Sequence, residues 1–269
     1  MERKRWLVPE SATIDLGAIE TGSVEGAPGK KKETHAASEE LKTHLIDLQE
    51  RLWAENRRSM LLVLQALDAG GKDGAIRKVF SGVNPQGCRV TSFKRPSDEE
   101  LEHHFLWRIN RALPRRGEIG IFNRSHYEDV VTVRVHGKID APTVRRRIDT
   151  INSFERGLAE DGLTIVKVFL HISKEEQAER LRKRLDDPTK HWKFASADLE
   201  ERARWHDYQV AYGEAISATS TEAAPWFVVP ADHKWYRDWA LLTILVGTLR
   251  HMAPSFPDPE PGLDSITVE

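Results

Sequence analysis

Residues 60–74 read MLLVLQALDAGGKDG, and the two halves of this stretch demand different backbones. Met60 to Leu67 make a short continuous apolar run, the pattern of a strand buried on both faces. The run stops at Asp68 and gives way to Ala69, Gly70, Gly71, Lys72, Asp73 and Gly74, a turn into a helix that begins near Ala75. Such a turn can wrap several backbone N–H groups around an anion, the helix N-terminus adds the positive end of its dipole, and a lysine, here Lys72, reaches the outer phosphates. The stretch departs from G-x-x-x-x-G-K-[ST] twice: Ala66 replaces the first glycine, and Asp73 stands where a hydroxyl would bind magnesium. The plain alternative is a glycine-rich turn with an incidental lysine. Asp68 favours the anion site, because a carboxylate beside a phosphate cradle is repulsive unless a divalent cation lies between them.

Outward from this strand, further strand patterns fall at 88–93, 118–122, 163–171 and 226–230, separated by helical patterns at 97–112, 143–158 and 234–250. Alternation of this kind predicts an α/β fold with a parallel five-stranded sheet flanked by helices. A charged helical stretch over 174–217, interrupted at Asp186-Asp187-Pro188, predicts a helical hairpin over the C-terminal edge of the sheet, where lids are found. Ser38, with Glu39 and Glu40 behind it, looks like a capped helix start, and Leu41, Leu45, Leu48 and Leu52 recur at helical spacing. Residues 22–38 mix Gly, Pro and a Lys triplet without an apolar face. The expected organisation is a flexible N-terminal arm over 1–37 and one domain over 38–269.

The 269 residues carry 40 Lys plus Arg against 42 Asp plus Glu, a net charge of −2, so a polycation is excluded and any positive field must come from clustering. With 39% apolar residues the chain can fill a core, which excludes disorder throughout. Cys88 is the only cysteine, so no intrachain disulfide can form and a reducing compartment is expected. No apolar run nears the ~20 residues of a membrane span, and the opening MERKRWLVPE lacks a secretory stretch. These features predict a cytoplasmic protein without a membrane partner. The histidines show no HExxH spacing, Trp205, Trp226, Trp235 and Trp239 read as core or interface anchors, and no basic segment is interleaved with stacking aromatics as a nucleic-acid site would be.

A second cluster follows the strand at 118–122: Asn123, Arg124, Ser125, His126, Tyr127, Glu128 and Asp129. In a parallel sheet it shares a rim with the end of the first strand. Arg124 can then face phosphates, while Glu128 or Asp129 completes a magnesium shell or orients a phosphate oxygen. The alternative is a capped helix start with acids in its first turn. The hairpin contributes Arg180 and Arg184, four apart on one helical face, and Lys190 and Lys193 nearby, which could hold a polyanion; the alternative there is the ordinary charge gradient of a helix dipole.

Taken together, ALDAGGKDG, FLWR at 105–108, FNRSHYEDV, RLDDPTKHWKF followed by ADLEERARWHDY, and TSTEAAPWFVVPADHKWYRDW make the chain resemble the second family of polyphosphate kinases from about Leu41 to Arg250. FNRSHYED, with Asn123 where other members carry Asp and Glu128 where they carry Asn, looks like the third subclass. The resemblance implies a P-loop kinase fold, inorganic polyphosphate as phosphoryl donor, and AMP and ADP as acceptors, giving ADP and ATP. It implies Mg²⁺, with Mn²⁺ as a substitute, carried by Asp68 with Asp129, and phosphate contacts from Lys72, Arg124 and Arg184, to which the residue reading adds the loop amides of residues 69–74, Arg180, Lys190 and Lys193. It further implies that Glu128 adjusts the site for the shorter AMP, and a homo-oligomer, dimer or tetramer. Where the family usually has Ala, this chain has Gly70, a change expected to loosen the loop. Two readings remain beside it: an ATP-dependent nucleoside monophosphate kinase, and a nucleotide-binding protein without catalysis.

Overall fold

The computed structural model describes residues 2–263 and 266–268, so residues 264, 265 and 269 of the expected 38–269 domain lie outside the described residues. Helix α1 (Lys31–Glu55) leads into β1 (Ser59–Gln65), and β1 passes through the glycine-rich turn into α2 (Lys72–Val79). β2 (Cys88–Ser92), the short helices α3 (Asp98–Leu101) and α4 (Trp107–Arg111), and β3 (Ile119–Asn123) follow. Next come α5 (Thr132–Val135), α6 (Ala141–Glu160) and β4 (Leu163–His171). Helices α7 (Lys174–Leu185), α8 (Ala197–Ala203) and α9 (Trp205–Thr219) form the charged excursion before β5 (Trp226–Pro230) and α10 (Lys234–Met252). The strands pair in parallel in the order β2-β3-β1-β4-β5, each within two residues of its expected position.

β1 is central because every one of its residues is buried. Strand alternation sends Met60, Leu62 and Leu64 into a core shared with α1 and α10, through Leu45, Leu52 and Trp239, and sends Leu61 and Val63 into a second core with Ile109, Ile151 and Tyr212. From β1 the chain runs out to β2, returns to β3 and then crosses to β4, so the strand order reverses at β1. A crevice opens beyond the carboxyl ends of strands at such a reversal, and ligands of open α/β sheets bind there.

Three expectations are corrected. Helix α1 starts at Lys31, seven residues before Ser38, whose hydroxyl donates to the Thr34 carbonyl at 2.7 Å inside the helix. Its packing stripe is largely polar there (Thr34, Ser38, Lys42), which hides it from an apolar periodicity. The expected free arm is instead part of the fold: Trp6, Val8 and Leu16 are buried, Val8 N–H donates to the Trp226 carbonyl at 2.9 Å, and Val228 N–H donates to the Trp6 carbonyl at 2.8 Å. Leu7 thereby forms an antiparallel bridge with Phe227 on the outer edge of β5. Finally, the helix expected over 97–112 divides into α3 and α4, since the His104 ring takes the Leu106 N–H at 3.3 Å and competes with the helical ladder.

Behind the rim lies a buried ionic cluster. Lys167 on β4 donates to Glu155 at 2.5 Å, to Tyr127 Oη at 2.8 Å and to the Thr219 carbonyl at 2.6 Å, tying α6, the turn after β3 and the end of α9 together. Burial pulls the Lys167 pKa down and would push Glu155 up, but Lys167 and His126 hold the Glu155 carboxyl below its ordinary value. Breaking such a pair strands a buried charge, so Lys167→Met is expected to lower the unfolding free energy by about 3–5 kcal/mol in urea titration. A loss below about 1 kcal/mol would show that Glu155 finds another proton or partner.

Candidate active site

The turn after β1 closes tightly on its own strand. Gly70 N–H donates to the Leu67 carbonyl at 2.9 Å, Ala69 takes φ +59°, and Gly71, which opens α2, takes φ +94°. A Cβ at position 70 would lie 2.4 Å from the Ala66 Cβ and 2.7 Å from the Leu67 carbonyl oxygen, so this glycine lets the turn seat against the strand end and does not loosen it. No side chain caps α2, which leaves its first amides to an incoming anion. Lys72 folds beneath the turn, donating to the Ala66 carbonyl at 2.7 Å with 8% of its surface exposed. Burial, helped by the nearby Arg124 cation, lowers its pKa to about 8 although Asp68, Glu128 and Asp73 pull the other way.

β3 ends beside β1, with Leu64 paired to Asn123, and this register delivers Arg124 to the turn. Arg124, at φ +63°, donates from Nη2 to Asp68 Oδ1 at 2.5 Å. Burial alone would depress its pKa, yet Glu128 and Asp68 outweigh burial and raise it. Glu128 accepts from Thr132 Oγ1 at 2.6 Å and, with the Gln65 amide oxygen turned to Ser125, from the Gln65 nitrogen at 3.0 Å. Tyr212 stands nearby, its pKa pushed far up by burial and by Glu128, so it is a hydroxyl and not a phenolate.

Asp68 and Arg124 line two cavities at once. One is a cleft of about 840 Å³ between the loop and the helical excursion, bordered by thirteen Lys and Arg side chains and only four Asp. The other is a pocket of about 100 Å³ on the far side, walled by Glu128, Thr132, Gln177, Glu201, Trp205, Tyr208 and Tyr212. In the cleft Arg184 is held by the Lys193 carbonyl at 3.0 Å and Asp198 at 3.4 Å, Lys193 lies 3.8 Å from Asp73, and Lys190 pairs with Asp187 at 2.5 Å. These three therefore face the loop from the excursion, as the sequence suggested, with Asp73 and Gly74 on the opposite wall.

Two assigned residues are engaged by the protein itself, Arg180 within the cleft wall and Asp129 outside it. Arg180 gives Nε to Glu176 at 2.6 Å, Nη1 to the Ala69 carbonyl at 3.1 Å and Nη2 to the Ala231 carbonyl at 2.6 Å, so it braces the loop from beneath and has little left for an anion. Asp129 lines neither cavity: Arg108 reaches its carboxylate at 3.4 Å, and burial raises its pKa against the pull of Arg108 and Arg147. Asp68 and Asp129, expected together to carry one or two Mg²⁺ ions, thus line no common cavity in this structure. Conversely, Lys94, Arg95, Lys234 and Arg237 border the cleft without having been singled out. Arg237 donates to the Gly71 carbonyl at 3.2 Å and is held by Asp238 at 2.6 Å; in sequence it falls within the last quoted motif, inside a buried apolar helix, where no spacing ties it to the loop. Cys88 has its thiol pushed up to about 12 by burial, as befits a small packing residue.

Among the described residues no three His, Cys, Asp or Glu side chains gather as a metal cage. A hard dication carried by one carboxylate, waters and substrate phosphates needs no such cage, and Asp68, the carboxylate at the boundary of both cavities, fits that donor set.

A parallel sheet reversing at β1, an anion-ready turn holding a buried lysine, and a basic flap across from it define an α/β protein of the P-loop kinase class. Residues 29–257 match the family model for polyphosphate kinase 2. A relative from Meiothermus ruber named AMP/ADP-polyphosphate phosphotransferase is 48% identical, covering 99% of this chain and 100% of the relative. The ADP-polyphosphate phosphotransferase of Rhodopseudomonas palustris is 44% identical over 97% of this chain and 94% of its own. The crystal structure of polyphosphate kinase 2 from Arthrobacter aurescens superposes with a TM-score of 0.94 at 44% identity, covering 97% of this chain and 93% of that one. The chain belongs to the polyphosphate kinase 2 family.

Proposed function

We propose that the protein transfers a phosphoryl group from inorganic polyphosphate to AMP and to ADP, reversibly and with Mg²⁺. The observation that carries this reading is the position of Asp68 and Arg124 as the shared wall of a strongly cationic cleft and a smaller, aromatic-walled pocket. The donor lies in the cleft, its terminal units at Lys72 and the free amides of α2; the acceptor phosphate enters the pocket, and the transferred group passes between them at Arg124. An acceptor phosphate is already anionic at neutral pH, so the reaction needs alignment and charge neutralisation more than a general base. Mg²⁺, or Mn²⁺ in its place, would sit at Asp68 and neutralise phosphate charge there. Glu128, fixed by Thr132 and Gln65, limits the depth of the pocket for AMP or ADP. The pocket is small for a whole nucleotide, so α7 and α8 must draw back as the acceptor enters.

The cytoplasm is the compartment we assign, on the lone cysteine, which can form no intrachain disulfide, and on the absence, among the described residues, of any helix long and apolar enough to cross a membrane. A homodimer or homotetramer is our proposed assembly on family grounds alone; Trp239 and the leucines of α10 are spent on the chain's own core.

The decisive measurement offers AMP with either polyphosphate or ATP. ADP formation is expected with polyphosphate, to stop on chelation with EDTA and to return with added Mg²⁺. Equal or better turnover with ATP would make the protein an ordinary nucleoside monophosphate kinase, and turnover indifferent to EDTA would remove the metal from Asp68.

A further inference from the structure

Past Ser92 the basic cleft continues into a second hollow, of about 440 Å³, along β2. β2 is the open edge of the sheet, since the opposite edge is covered by Leu7. The two hollows share the wall 92–95. Arg89, Lys94, Arg95 and Arg111 border the second one, and among the described residues none of the four is ion-paired. The acid that does line it, Glu100, is already engaged with Arg108 at 3.6 Å and with the Ser97 N–H. Many other surface cations of this protein are matched, as Lys78 is by Glu39 and Arg134 by Glu214. Unmatched cations in a concave wall concentrate polyanions. Arg89 and Thr91 project on one face of β2, and at about 3.3 Å per residue Arg89 lies roughly 10 Å beyond Ser92.

We propose that this edge groove is a second subsite for inorganic polyphosphate, holding units of a long chain that trail out of the cleft. The proposal rests on the donor reading above and deepens it: a short oligophosphate fits within the cleft, so only long donors reach Arg89 and Arg111. A bare phosphate chain suits the groove better than a nucleic acid. Phe93 is buried under Arg108, and the Trp107 ring already stacks on His103 at 4.0 Å and carries Arg111 at 4.7 Å, so neither ring is open to a base.

The test compares long-chain polyphosphate with tripolyphosphate as donors to AMP in wild type, Arg89→Ser, Arg111→Ser and, as a control for general charge loss, Arg116→Ser at an exposed site outside the groove. For long chains KM is expected to rise about three- to fivefold in each groove variant, with kcat, the tripolyphosphate KM and the Arg116→Ser enzyme unchanged. Among the described residues Arg89 makes no side-chain bond, so its variant reports even if Arg111→Ser disturbs Trp107. Equal losses with both donors, or no loss with either, overturn the subsite. So does single-stranded RNA competing with long chains in wild type but not in Arg89→Ser, which would give the groove to nucleic acid. A wild type that uses neither donor would sink the functional reading itself.

Discussion

Lys72→Met is expected to lose turnover by a factor of about 10² to 10³ while melting at a higher temperature than wild type. The two halves share one cause. Lys72 is nearly sealed beneath the loop, and burial lowers its pKa from 10.5 to about 8, so the folded state carries its charge at a cost that the unfolded chain does not meet. The sign follows from which state binds the proton more weakly. Below about pH 8 both states are protonated and the full penalty is present; between about 8 and 10.5 only the unfolded state keeps the proton, and the penalty fades as pH rises. Methionine fills the same space without the charge, so the gain in melting temperature is largest near neutral pH and shrinks towards pH 10.5. Catalysis runs the other way. Without the ammonium the donor's terminal phosphates lose their buried counter-charge, and in wild type the rate at low donor concentration should fall as pH passes about 8. Calorimetry and initial rates on the same preparation check both halves. A variant that keeps its rate, or that melts lower across the pH range, would show that Lys72 only props the Ala66 carbonyl.

Asp68→Asn is expected to cost a factor of about 10² or more in turnover, whereas Asp129→Asn should change it by less than about fivefold. Asparagine keeps the shape of Asp68 and can still meet Arg124, but it removes the charge at the boundary between the two cavities. The Mg²⁺ concentration for half-maximal rate should rise with it. Asp129 faces Arg108 and lies outside both cavities, so neutralising it disturbs a buried pair without touching the reacting phosphates. Magnesium titrations of the two variants separate the cases. If Asp129→Asn raised the magnesium requirement as much as Asp68→Asn, the two carboxylates would have to meet in the working enzyme.

What could be read from the chain depended on whether a residue's role is local. The strands were legible because β1 is an unbroken apolar run and the others are bounded by Gly, Pro or charged clusters. Lys72, Asp68 and Arg124 were legible because a strand-to-helix turn fixes each beside its neighbours in sequence, and parallel register joins the two turns. Arg180 does line the cleft, but its bracing bonds are not legible, because its spacing from Arg184 reveals a shared helical face and not that Ala69 and Ala231 stand above it. The partner of Asp129 is hidden for the same reason: adjacency to Glu128 says nothing of Arg108, twenty-one residues away and across the fold. Arg237 and the polar stripe of Thr34 and Ser38 stayed hidden because their partners come from distant segments that only the folded chain assembles.

The opening residues carry a lesson for anyone trimming this chain. The family match begins at residue 29, and the Gly- and Lys-rich stretch before it invites a cut. Yet Trp6 fills a niche between Tyr236 and Trp239, with its indole N–H on the Tyr236 hydroxyl at 3.1 Å. Leu7 roofs the β5 border beside it. Shortening to the recognised homology boundary would leave two rings facing water and a bare row of amides open to a stranger's backbone. The minimal folding unit is therefore larger than the portion that bears the chemistry.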